Sequence, residues 1–212
     1  MKKLAHDCES ISWIVRCALL SAVMLAGEAA AQMHAVPITE TTKAYAMDGY
    51  RVLPPPGKNW FEMQRNRELA LFGKRLDSTT HSFGATAISG LIDDKFETRE
   101  KFQEYVNKLR TAELDAKRFR VIEFESAVDD TFPAWCVRYR LKHTDRDAAL
   151  ARNRTLLTED IGVTCLHPNK SNLIVDVGYS ERGRPAELSA EPSAELRKEG
   201  ERFMRSLEFI RP

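Results

Sequence analysis

No hydrophobic run in this chain is long enough to cross a bilayer. The most apolar stretch, Cys17–Gly27, is about half the ~20 residues that a transmembrane helix requires. Blocks of one charge are also missing: 32 basic and 31 acidic residues are interspersed and leave a net charge of +1. Phosphate-binding surfaces leave a basic stripe and a high pI, so this balance argues against nucleic acid as a partner. There is no phosphate loop, dinucleotide fingerprint, serine elbow or HExxH, and Ser and His show no triad spacing. No catalytic residue, cofactor or metal is therefore assigned, and the expectation is a protein that is not an enzyme. Repeats and Gly/Ser linkers are absent as well, which leaves a single domain.

What is present begins with an export pattern. Lys2, Lys3 and Arg16 give a basic start, diluted by Asp7 and Glu9; the apolar run follows, and Ala29–Ala31 supply an A-x-A site. The expected cut lies between Ala31 and Gln32. An uncleaved anchor would have to enclose Arg16, at real energetic cost, and a lipoprotein would need a cysteine after the run, whereas Cys17 precedes it. The expected organisation is a signal peptide over 1–31, a flexible arm over 32–48 and one domain over 49–212, located in a bacterial periplasm or secreted. No membrane anchor is expected after cleavage.

Cysteine is scarce. Of four, Cys8 and Cys17 fall in the leader, and Cys136 and Cys165 are the pair left in the body. An exported chain with one remaining pair points to a single structural disulfide. A metal site built on Cys136, Cys165 and His167 lacks a fourth ligand.

Strand-like runs occur at Tyr50–Leu53, Trp60–Gln64, Leu69–Leu76 and His81–Ile92, then, after a helix near Thr98–Leu114, at Phe119–Phe124, Trp135–Lys142, Leu156–Cys165 and Leu173–Tyr179. A second helix is expected near Ala194–Ser206, capped by Ser189 or Ser193. Clustered strands with two amphipathic helices indicate an α+β fold, a mostly antiparallel sheet covered by helices. Small residues on both sides of the run through Gly84 and Thr86 suggest a strand crossed closely from above.

Read as a hairpin, the two cysteine strands place Cys136 opposite Cys165 and Lys142 opposite Glu159. Trp135, Val137, Tyr139 and Leu141 form one apolar stripe, whereas Leu157, Ile161 and Val163 share parity with the cysteines. Either a bulge shifts the pairing, or both sheet faces are covered. Arg138 and Arg140 project from one strand face and form a candidate anion or ion-pair site. Asp176 interrupts the apolar run LIVDVGY, where an unpaired carboxylate would be costly, and it is expected to face Arg138 or Arg140.

The segments GYRVLPPPGKNW, FQEYVNKL, CLHP, VGYSERG and GERFMRSLEF resemble the PsbP-like superfamily of small exported proteins, which includes PsbP, DcrB and a eukaryotic Ran-binding relative. The resemblance covers about Gly49–Phe209 and implies an α-β-α sandwich serving as a non-enzymatic binding or assembly module. No functional residue transfers. The expected role is an envelope protein that binds a protein partner, with an exposed patch around Trp60 or Phe61. The alternatives are a small-anion binder using the basic strand face, and a hydrolase in which Asp176, His143 or His167 meets a nucleophile in a deep pocket.

Overall fold

The computed structural model describes residues 35–112, 114–146 and 155–210. The leader, its cleavage site at Ala31 and Gln32, and Cys8 and Cys17 lie outside the described residues.

Among the described residues there are eleven strands: β1 (Val36–Pro37), β2 (Tyr45–Ala46), β3 (Tyr50–Val52), β4 (Trp60–Arg65), β5 (Leu69–Lys74), β6 (Ser82–Leu91), β7 (Phe119–Val128), β8 (Trp135–Asp145), β9 (Leu156–Leu166), β10 (Leu173–Gly183) and β11 (Glu208–Phe209). The helices are α1 (Arg99–Ala112), α2 (Pro185–Leu188) and α3 (Glu191–Arg205). Eight strands form one sheet in the order β1-β4-β5-β6-β10-β9-β8-β7, and β11-β3-β2 form a second. Every pair is antiparallel. The long strands form where the sequence alternates apolar and small or polar residues, as in β6, whose burial alternates along its length.

Alternation sends the two sides of each strand to different partners. On one face, Ala70, Phe72, Phe83, Ala85, Val163, Val175 and Val177 pack with Leu196, Phe203 and Met204 of α3 and with Tyr50 and Val52 of the small sheet. On the other, Phe102 and Val106 of α1 pack on Val137 and Ile174. The disulfide Cys136–Cys165 lies in the first core. Its hairpin pairs Cys136 with Cys165 and Lys142 with Glu159 without a shift of register. The conflict between apolar stripes is thus resolved by burial on both faces and not by a bulge.

The helices do not cover the whole sheet. α1 has 14 residues, about 21 Å at 1.5 Å per residue, whereas eight strands spaced about 4.8 Å apart span about 34 Å. α1 contacts β7 and β8, and no helix lies over β5 and β6 on that face among the described residues. The expected loose arm also differs: β1 pairs with β4, β2 pairs with β3, and Met47 is buried. α3 starts at Glu191 with no side-chain cap, because the Ser193 hydroxyl instead donates to the buried Glu181 (2.8 Å).

α2 is short and is fixed by one carboxylate. Glu187 accepts from the Arg184 backbone N–H (2.7 Å) and side chain (3.1 Å), and from the hydroxyls of Ser78 and Thr80 (both 2.9 Å). Burial alone would raise its pKa, but the bonds from Arg184, Ser78 and Thr80 outweigh it and bring the value to about 2. The folded value lies below the ordinary 4.5, so the stabilisation is present above that value and is lost as pH falls toward about 2. Glu187→Gln should therefore be less stable at neutral pH and flatten this part of the stability–pH curve in urea titrations between pH 5 and pH 2.

Candidate functional site

The uncovered part of the α1 face is a cleft of about 500 Å³. Its floor is set by strand parity. Gly84, Thr86 and Ile88 of β6, Asp176, Gly178 and Ser180 of β10, and Asp160 of β9 all line it. Leu69, Leu71 and Leu141 add apolar walls. The small residues of β6 therefore make an open floor on this side, while Ala85 and Ala87 on the reverse side are buried in the α3 core.

Glycine is required where this floor is crowded. A Cβ at Gly162 would fall 2.4 Å from the Tyr139 hydroxyl, which lies over β9, and one at Gly178 would meet the Ile161 carbonyl oxygen at 2.6 Å. The Gly162–Gly178 pair sits side by side in the sheet and lets Tyr139 reach across to β10.

Two polar groups flank the cleft. At the α1 end, the Asp176 carboxylate pairs with Arg110 and accepts from Thr164 Oγ1 (2.6 Å) and Tyr139 Oη (3.2 Å). The Arg110 guanidinium also lies 4.3 Å over the Tyr139 ring. At the other end, Arg118 donates twice to Asp145 (both 2.8 Å), and Arg182 stands 3.7 Å from the same carboxylate. Burial lowers the pKa of Arg182; Asp145 opposes this, and the neighbouring Arg118 adds to it. His143, 4% exposed, bonds Asp160 Oδ2 through Nε2 (3.0 Å) and meets the Phe119 ring edge to face at 5.1 Å.

The residues singled out from sequence are distributed differently from expectation. Asp176 lies on the opposite sheet face from Arg138 and Arg140, since β10 pairs it with Thr164 and β8 pairs Thr164 with Val137. Its partner is Arg110, from the helix. Arg138 pairs with Glu201 of α3, and Arg140 bonds Glu159 (2.5 Å) with Glu123 and Glu125 nearby. Both arginines are thus engaged by carboxylates of the same chain. Trp60 is 1% exposed and donates to Glu199 (2.7 Å), so it forms no surface patch. His167 is a turn residue: Nε2 bonds the Gly49 carbonyl oxygen, and Nδ1 accepts from the Asn169 N–H. Of the three hydrolase candidates, Asp176 and His143 line one cleft and His167 does not. Among the described residues, no group of three His, Cys, Asp or Glu is placed to hold a metal ion. No helix among them is long and apolar enough to cross a membrane.

Sequence reasoning missed Arg110, Tyr139, Asp160 and Arg182. The strand parity of Tyr139, Asp160 and Arg182 was available once the cysteine register was set, but Arg110 comes from a helix and carries no such signal.

The architecture is a mostly antiparallel sheet with a helix packed on each face. The chain is similar to the solution structure of cyanobacterial PsbP (CyanoP) from Synechocystis sp. PCC 6803, with 16% identity and a TM-score of 0.39, over 79% of this chain and 92% of that one. No family model and no curated protein matches the sequence.

Proposed function

We propose that this chain is an exported, non-enzymatic binding module of the bacterial periplasm or cell envelope that receives its guest or partner in the cleft on the α1 face. One observation carries the reading: an apolar cleft within the roughly 300–1,000 Å³ range of small-molecule sites, with a few polar groups converging on it. The buried disulfide supports the location, since such bonds persist in oxidising compartments. A hydrolase reading draws on the His143–Asp160 pair, a carboxylate-oriented imidazole. It needs a nucleophile beside Nδ1, which has no hydrogen-bond partner among the described residues.

Thr86 stands on the cleft floor between Leu71 and Gly178, so Thr86→Trp fills the cleft from its floor. Protein isolated from its native envelope should lose its associated guest in Thr86→Trp and keep it in Lys198→Glu, a change on the exposed face of α3. Unchanged association in a folded Thr86→Trp protein, verified by circular dichroism melting, would place the binding surface elsewhere.

A further inference from the structure

The two edges of the eight-stranded sheet are built differently. At one end β1 has two residues and finishes on Pro37, a short, proline-marked edge of the kind that keeps other strands away. At the other end β7 runs for ten residues, FRVIEFESAV, with neither proline nor lysine. Among the described residues it pairs on one side only, with β8. Its other side presents a row of backbone N–H and C=O groups, a template for a further strand. Val121 and Ile122, 41% and 54% exposed, sit on this edge.

A bulge decides which strand fits. The pairing with β8 shifts between Val121 and Glu123, which makes Ile122 the extra residue. Before the bulge Phe119 and Val121 lie on the α1 face, opposite Asp145 and His143; beyond it Phe124 and Ser126 do, opposite Leu141 and Tyr139. Arg120, Glu123 and Glu125 lie on the α3 face, opposite Thr144, Lys142 and Arg140. Residues directly opposed across a ladder share a face. A regular strand laid along β7 therefore matches on one side of the bulge and falls out of phase on the other. A second copy of β7, antiparallel about a two-fold axis at the bulge, carries the same offset, and the two cancel. That register sets Val121 against Phe124 of the second copy on the α1 face and Arg120 against Glu125 on the α3 face, each twice. Arg120 and Glu125 are both exposed, and Glu125 stands 4.0 Å from Arg140 of its own chain, the outer limit of an ion pair.

We propose that β7 is a homodimer interface, joining two copies of this chain edge to edge into one continuous sheet, with Arg120 of each copy facing Glu125 of the other. The proposal does not depend on the cleft. Sedimentation equilibrium of the purified protein should show a reversible monomer–dimer equilibrium that weakens as salt is added. Arg120→Glu and Glu125→Arg each set like charges opposite one another, and each should weaken the dimer by roughly tenfold or more. An equimolar mixture of the two variants should regain it, because opposite charges then meet at both positions. Thr86→Trp should leave the dimer unchanged. If a single reversal fails to fold, the doubly reversed chain, Arg120→Glu/Glu125→Arg, carries the test and should dimerise like the parent. A chain that stays monomeric at every concentration overturns the proposal and leaves the edge to a strand of another protein. A dimer indifferent to both single reversals overturns it too, as does a mixture, or a folded doubly reversed chain, that fails to recover the dimer.

Discussion

Asp176→Ala should destabilise the protein by about 3 kcal/mol, the range found when one partner of a buried ion pair is removed. The Asp176 and Arg110 side chains are 14% and 13% exposed, so the cost is not screened away as at a surface pair. The substitution removes the acceptor for Arg110, Thr164 and Tyr139 together. It also loosens the charged tie between α1 and the central strand β10. Asp176→Asn keeps the shape and should cost less. An Arg110→Met/Asp176→Leu pair should recover much of the loss, because neither charge is then left buried alone. Urea denaturation of the four proteins measures this directly; an Asp176→Ala loss below about 1 kcal/mol, as for exposed pairs, would mean that the tie does not hold α1 in place.

Removing the disulfide has a comparable effect by a different route. Cys136 and Cys165 are separated by 29 residues, and closing such a loop restricts the unfolded chain by about 3.5 kcal/mol on the chain-entropy view. Both cysteines are essentially fully buried, so alanine is the better replacement: serine would also bury two hydroxyls. At roughly 2–4 °C per kcal/mol for a chain of this size, Cys136→Ala/Cys165→Ala should melt about 10 °C lower. The same fall should follow reduction of the unmodified protein, and reduction should leave the double variant unchanged. A variant that melts within about 2 °C of the parent, less than 1 kcal/mol on the same scale, would show that the staple contributes little.

These two results also show where the sequence is legible. The cysteine pairing follows from one symmetric hairpin, in which strand spacing alone sets who faces whom, and no bulge intervenes between β8 and β9. The same parity, carried one strand further, already separates Asp176 from Arg138 and Arg140, because each strand step keeps a residue on its own face. What parity cannot supply is the partner from outside the sheet. Arg110 reaches Asp176 across 66 residues, from a helix whose placement depends on packing against Val137 and Ile174. The cleft is hidden for a related reason. It exists because α1 is shorter than the sheet is wide, a comparison of lengths that no local pattern contains. The Gly84–Thr86 run announced a special strand, but its small residues serve an open floor on one face and a tight core on the other. Short elements fared worst: β1, β2, β11 and α2 gain their order from long-range pairing and capping, which a local reading sees as arm and loop.

The account turns on the cleft being where this protein meets its guest. A photo-crosslinking residue at Gln64, on the exposed rim of the cleft, reports this without filling the floor, and the same residue at Lys198 serves as the comparison. In native cells, position 64 should give an adduct that Thr86→Trp removes, while position 198 gives none. Adducts at position 198 alone, or adducts at position 64 that persist when the cleft is filled, would contradict it.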